Sequence, residues 1–375
     1  MRILHGTTDA ANQAYYSVQG LREIGCNAEN VRYTNSPLLL SADYELSIDK
    51  SSKTQLPLNI CKILSFAKTA IARYDIFHFH YGRSLLPRNL DLPILNKLGK
   101  PYFFEYHGSE IRQGAHWANN PYAEFLPNYL ENDSAVKRAN FPLANARGAI
   151  VHDAEMGWYV PRGVDTFYIP LRMNVEQFSP SFPSEDPDRK PLIVHAPSRR
   201  GIKGSEYVEE TLESLAEEYA FEYSLIENMS QNDAFRVYAQ ADIIIDQLFI
   251  GTYGVFALEA MAMGKPVVTY IRPDLRESFP RELPVVSASK DDLKGVTARL
   301  LESPFERNRL GRLGREYVEK YHDYRKVAYL LSDLHSPLLP FCFRTQETTG
   351  LGEAASVSSA CKLCSTTTMG VISGT

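Results

Sequence analysis

The sequence predicts an α/β protein made of two doubly wound, Rossmann-like domains facing a central cleft. Three observations carry this prediction. Apolar, strand-like runs alternate with amphipathic helical stretches in both halves of the chain, the pattern of a parallel sheet covered by helices. Between the halves, residues 179–190 read SPSFPSEDPDRK, a composition rich in Pro, Ser and charge that suits a linker. The length, 375 residues, accommodates two domains of ordinary size, each able to bury its own core.

Taken in order, the strands expected in the first half cover residues 2–5, 30–33, 75–81, 101–106 and 148–151, with helices such as 14–24 and 60–73 between them. In the second half the strands are 191–195, 221–226, 241–246, 266–271 and 283–286. The clearest helix is 205–219. Val208, Leu212, Leu215 and Tyr219 make its apolar stripe, and Glu206, Glu209, Glu210, Glu213 and Glu217 its wet face. Ser230 with Asp233 and Ser289 with Asp292 have the spacing of capping boxes. The expected domains are therefore 1–178, a linker at 179–190, and 191–335. Residues 336–375, dominated by Ser, Thr, Gly and Ala, read as a low-complexity, disordered tail.

Composition narrows the function. A hydrophobic fraction of 44% with 23% charged residues is that of a soluble globular protein, and a net charge of -5 gives no electrostatic case for nucleic acid. No stretch approaches the roughly 20 apolar residues that span a bilayer. The start, with one Arg and a short apolar run before Thr7, Thr8 and Asp9, reads as a strand and not as a secretory leader. A cytoplasmic protein is expected. Five cysteines (Cys26, Cys61, Cys342, Cys361 and Cys364) are odd in number and scattered, which argues against a disulfide framework. The CxxC of Cys361 and Cys364 lacks the second pair of a zinc site. GLGEAA, from Gly350, matches a dinucleotide fingerprint by letters but follows no strand.

The richest stretch is GTYGVFALEAMAMGKPVV, Gly251 to Val268. It puts one carboxylate, Glu259, in an otherwise apolar helix, with Gly264 and Pro266 as stop signals. Val255, Phe256, Ala262 and Met263 lie one turn away and none is basic, so Glu259 must find a backbone donor, a ligand or a proton. A helix start is also a site where backbone N–H groups and the dipole favour an anion. Two further segments run from a strand into a loop: HAPSRRGIKGSEYV, from His195, and FFEYHGSEIR, from Phe103. In DIFHFHYG, His78 and His80 share one face of a strand. No Cys or carboxylate cluster accompanies them in the sequence, so no metal site is expected.

These residues resemble the retaining glycosyltransferases of the GT-B fold, glycosyltransferase family 4, also called glycosyl transferases group 1, over roughly residues 1–335. The match is strongest at Leu258 to Val268, which is similar to the family's LEAMAxGxPVV. The resemblance implies a transferase that moves a sugar from a nucleotide diphosphate sugar to a hydroxyl acceptor with retention, without metal or cofactor. Glu259 would bind the donor ribose, and amides of Thr252, Tyr253, Gly254 and Val255 would face the diphosphate. Lys203 would neutralise the leaving group. The family's upstream Arg is Ser198 here, with Arg199 and Arg200 beside it. His107 would face the transferred sugar. The family's second Glu is Gly251 here, and Asp246, at the end of ADIIID, is the acid nearest in sequence to replace it. In the hinge segment IPLRMNVEQF, Arg172 stands where glycine is usual.

Partners implied are a nucleotide-sugar donor and a glycan or lipid-linked glycan acceptor, in polysaccharide or cell-surface glycan biosynthesis. A peripheral contact with the inner membrane face belongs to the same expectation, with Arg83, Arg88, Arg112 and Trp117 as candidates for the acceptor cleft or for lipid headgroups. The alternatives are a nucleotide-sugar epimerase of similar fold and a non-catalytic partner subunit.

Overall fold

The computed structural model describes residues 1–36, 39–49, 51, 53–112, 120–126 and 142–336. Trp117, Cys342, Cys361, Cys364 and the expected tail beyond Ser336 lie outside these.

Two parallel sheets organise the chain. The first contains β1 (Arg2–Thr7), β2 (Asn27–Arg32), β3 (Tyr44–Glu45), β4 (Ile76–His80), β5 (Tyr102–Glu105), β6 (Gly148–Val151) and β7 (Thr166–Tyr168), in the order β3-β2-β1-β4-β5-β6-β7. The second contains β8 (Leu192–His195), β9 (Glu222–Leu225), β10 (Ile243–Ile245) and β11 (Val267–Val268), ordered β11-β10-β8-β9. Strand order reverses between β1 and β4 in one sheet and between β8 and β10 in the other. Crevices for ligands open at the C-terminal ends of strands at such points.

Helices connect the strands. They include α1 (Gln13–Glu23), α2 (Leu56–Arg73), α3 (Leu92–Lys97), α4 (Ala154–Gly157), α5 (Arg200–Lys203), α6 (Ser205–Ala216), α7 (Gln231–Gln240), α8 (Val255–Ala262), α9 (Leu293–Glu302), α10 (Pro304–Tyr321) and α11 (Tyr324–His335). The stripe expected on 205–219 is the buried face of α6, through Val208, Leu212 and Leu215. Ser230 caps α7 by accepting the Asp233 amide. The pair Ser289 and Asp292 instead closes a turn ahead of α9, with Asp292 accepting from the Ser289 amide at 2.7 Å. That helix begins at Leu293, later than the capping spacing suggests.

Three differences from the sequence reading concern edges. Residues 283–286 form no strand, only an isolated bridge from Val286 to Val268, because Pro284 removes a ladder donor. The edge strands β3 and β7, two and three residues long, carry too little periodicity to read. The segment expected as a linker is docked rather than free. The Ser181 amide donates to Met263, and Asn308 donates to the Pro183 carbonyl at 2.8 Å.

The last described helix, α11, packs against α1 and the first sheet, although it follows the elements of the second. Val327, Leu331 and Leu334 join Ile3, Val18, Leu21 and Phe103 in one buried cluster. Gly20 permits the approach, since a Cβ there would lie 2.6 Å from the Tyr324 carbonyl oxygen. Periodicity shows that a helix has an apolar face but not which sheet it covers.

Candidate active site

The loops after β8 and β10 bring together most of the residues expected at the donor site. Lys203, at the end of α5, donates to Asp246 Oδ1 at 2.5 Å and to Gln247 Oε1 at 3.2 Å. Asp246 is buried, and its Oδ2 has no hydrogen-bond partner among the described residues. Lys203 and Asp246, given separate roles in the sequence reading, are thus one ion pair. Ser198, Arg199 and Arg200 are exposed. Arg200 turns to Glu209 and Glu227, at 2.5 and 3.3 Å. The Arg199 guanidinium makes no hydrogen bond or ion pair among the described residues, which leaves it, rather than that of Arg200, available to an anion.

The helix α8 starts at Gly254 with no side-chain cap, so its first amides are free to receive an anion. The carboxylate of Glu259, one turn further, makes no hydrogen bond or ion pair among the described residues. Burial pushes its carboxyl up from 4.5 to about 7. Thr252 is buried and faces Asp153, the N-cap of α4 at the end of β6. The Asp153 carboxyl is pushed up to about 6, first by burial and then by the neighbouring Glu155. The Tyr253 hydroxyl lies 2.9 Å from that of Tyr317 and 3.2 Å from His322 Nε2. Tyr253 therefore offers its backbone and not its side chain to the cleft.

Gly251 adopts φ +93°, and a Cβ there would lie 2.3 Å from Arg272 Cγ. The Arg272 side chain fills the space that a larger residue at 251 would need. It is buried, paired with Asp274 at 2.7 Å and set over the Trp158 ring. Gly251→Glu is expected to destabilise the protein by roughly 1–3 kcal/mol through strain and overpacking, read as a lower thermal midpoint. An unchanged midpoint would show that Arg272 yields easily.

His107 closes a chain of buried imidazoles that runs into the first sheet. His152 Nδ1 lies 3.1 Å from the Ile169 carbonyl, which only accepts, so His152 carries its proton there. Burial lowers all these rings, His152 to about 4 and His107 to about 3, so each is neutral near pH 7. The tautomers then follow in sequence. His152 Nε2 accepts from His107 Nδ1 at 3.1 Å, His107 Nε2 from His80 Nδ1 at 3.1 Å, and His80 Nε2 from His5 Nδ1 at 3.2 Å. Both ring nitrogens of His107 are thereby engaged. The expected hydroxyl contact through a nitrogen would have to break one of these bonds, and His107 presents ring edge and face instead.

Glu105, at the end of β5, is the hub. It accepts from Arg172 Nη2 at 2.7 and 2.6 Å and from His78 Nε2 at 2.8 Å, all fully buried. Burial alone would raise its carboxyl. The Arg172 charge, then His80 and the His78 hydrogen bond, hold it well below the usual range. Arg172 also donates to Ser17 at 2.7 Å. Glu105, His5, His152, His335, Asp153 and Arg272 were not singled out from sequence. The missing carboxylate partner of His78 and His80 is Glu105, one strand away. Its place in FFEYHG, two residues before His107, was the available signal. Arg112 is buried against Glu155 at 2.9 Å, not lining a cleft, while Arg83 and Arg88 are exposed.

The second sheet and its loops have recognisable relatives. Residues 192–333 match the family model described as glycosyl transferase-like. Solved structures with the same architecture span nearly the whole chain. Sucrose-phosphate synthase from Thermosynechococcus elongatus is 17% identical with a TM-score of 0.59, over 89% of this chain and 97% of its own. HepE from Anabaena, solved with UDP and glucose, is 12% identical with a TM-score of 0.55, over 90% and 100%. The lipopolysaccharide outer core galactosyltransferase WaaB is 12% identical with a TM-score of 0.54, over 88% and 100%. None of the curated proteins matches the sequence. At these identities the likeness is one of fold, and the fold is GT-B. Among the described residues, no helix is long and apolar enough to cross a membrane.

Proposed function

We propose that this protein is a retaining glycosyltransferase that uses a nucleotide diphosphate sugar and a hydroxyl acceptor. The observation that carries the reading is the unpartnered carboxylate of Glu259 one turn inside a helix whose first amides are uncapped, at the switch point of the second sheet. A nucleotide diphosphate satisfies both needs together, with phosphates on the amides at Thr252 to Val255 and ribose hydroxyls on Glu259. The glycosyl transferase-like match over this segment and the UDP bound to HepE support the choice.

In this reading the bond from the anomeric carbon to the phosphate oxygen breaks while a bond to the acceptor oxygen forms on the same face. The departing diphosphate takes the acceptor's proton. His107, neutral and with both nitrogens occupied, takes none. Lys203 and Arg199 stabilise the charge that grows on the leaving group, so the reaction is assigned no metal and no cofactor. Closure of the two sheets' units about residues 169–190 would exclude water that would hydrolyse the donor. Glycan assembly is the assigned setting, with a glycan or lipid-linked glycan as acceptor.

A screen of nucleotide sugars by calorimetry, followed by turnover with candidate acceptors, tests the reading. Donor binding with transfer supports it. Epimerised sugar without acceptor, or binding without any turnover, would replace it with one of the two alternatives. Lys203→Met should lower kcat about 100-fold or more by removing leaving-group stabilisation, and near wild-type kcat would remove Lys203 from the mechanism.

Peripheral membrane contact belongs to the same proposal, with α2 as its surface. Leu56, Leu58, Ile60 and Leu64 are exposed, Lys62 and Lys68 lie among them, and the helix contains no acidic residue. Leu58→Glu with Leu64→Glu should abolish sedimentation with vesicles containing anionic lipid. Equal sedimentation of wild type and variant would exclude this face.

A further inference from the structure

The histidine chain leaves a shortage of protons at its inner end. His5 on β1 and His78 on β4 are direct register partners, with rings stacked 4.2 Å apart. His335, the last residue of α11, closes over them, and all three are buried. The tautomer sequence that begins at the Ile169 carbonyl fixes His5 with its proton on Nδ1, so His5 Nε2 is a bare lone pair. His78 gives its Nε2 proton to Glu105, so its Nδ1 is a lone pair too, 3.1 Å from His335 Nε2. Among the described residues, one N–H, that of His335, serves this pocket. His5 Nε2 and His335 Nδ1 have no partner among the described residues. Buried acceptors without a donor are costly, and one cation would relieve the shortage.

We propose that His5, His78 and His335 form a binding site for a borderline divalent transition metal of the zinc class. One ring nitrogen from each lies within 4.8 Å of the others. The 3.1 Å between His78 Nδ1 and His335 Nε2 suits two nitrogens bound to one ion at about 2.0–2.1 Å. His78 has the supporting contact that such ligands usually have, since its far nitrogen donates to a carboxylate. That carboxylate, Glu105, is itself locked by Arg172. On binding, His335 shifts its own proton to Nδ1 and its Nε2 becomes a ligand. The two other nearby groups, built around Glu105 with His78 and His80 or with His107 and His152, are weaker. Their oxygens already serve Arg172 and His78, and their facing nitrogens are spent within the chain. An ion at His5, His78 and His335 would clasp the end of α11 onto β1 and β4. Its role is structural and separate from sugar transfer.

The test uses tag-free full-length protein, alongside a Cys361→Ser, Cys364→Ser version that removes the chain's CxxC. After incubation with zinc and dialysis, both should retain about one equivalent of metal. Cobalt in its place should give visible d–d absorption typical of nitrogen ligands. The thermal midpoint should rise with zinc and fall with chelator. His335→Gln and His5→Gln should each lose the bound equivalent and the zinc dependence of the midpoint. If a variant does not fold, the cobalt spectrum of the protein lacking the CxxC decides alone. Retention below about a tenth of an equivalent with a midpoint indifferent to zinc and chelator would overturn the proposal, leaving a buried water as the donor. Metal retained in both histidine variants would overturn it equally.

Discussion

Glu105→Gln is expected to destabilise the protein by about 3–5 kcal/mol, the cost of leaving a buried charge without its counter-ion. Glutamine keeps the shape of Glu105 and still accepts from His78, so the loss isolates the charge. Arg172 would keep its bonds to Ser17 and to the Gln13 carbonyl but face a neutral amide inside a sealed site. A fall in thermal midpoint of roughly 10 °C is the corresponding readout. The pair Glu105→Gln with Arg172→Met should recover at least half of that loss, because removing both charges also removes their desolvation cost. A single variant within about 1 kcal/mol of wild type would show that the Arg172 charge is satisfied in some other way. The same hub orders the chain leading to His107, so the single variant should also blur the ring's orientation at the cleft.

Glu259→Gln is expected to act in opposite directions on stability and on donor binding. The carboxyl titrates at about 7 in the folded protein because burial penalises its charge. Its folded value lies above the unfolded one, so the stability it contributes is fully present below pH 4.5 and lost as the pH rises to about 7. By linkage the loss amounts to about 3 kcal/mol. Glutamine does not titrate. The variant should therefore match wild type near pH 4 and exceed it in thermal midpoint at pH 8. Asp9 and Asp153, both pushed up to about 6 by burial first, impose a similar slope on both proteins and cancel from the difference. Donor binding should run the other way. Ribose hydroxyls donate to the ionised form, so wild-type affinity should strengthen as pH rises through 7, with a proton released on binding. The variant should bind about 10-fold more weakly or worse above pH 7, from the loss of charged hydrogen bonds. Equal affinities in calorimetry at pH 8 would remove Glu259 from the ribose site.

This combination, an acid that destabilises the fold and is unpaired within it, was already legible in the sequence. An apolar helix with one carboxylate and no basic neighbour at helical spacing leaves Glu259 few options, and none of the described residues supplies a partner. That Lys203, Asp246 and Thr252 follow the ends of strands could also be read, because strand ends are local features. What could not be read is which of them pair with each other. Lys203 and Asp246 lie 43 positions apart, and only the parallel pairing of β8 with β10 sets them at 2.5 Å. Gly251 looked like a missing acid. It is a backbone position with φ +93° whose space belongs to Arg272.

By itself the sequence determined the α/β class, both sheets' principal strands and the helix that carries Glu259. Periodicity, capping residues and turn residues are properties of neighbouring positions, and they survive in any tertiary arrangement. The tertiary structure alone decided that α11 returns to the first sheet, and that six histidines, Glu105 and Arg172 form one buried network. Those residues come from β1, β4, β5 and α11, from the loops after β5 and β6, and from the hinge segment, spaced from 2 to more than 250 positions apart. Nothing in local pattern relates them. Their meeting follows from strand order and register, which place His5 beside His78 and Glu105 beside His80.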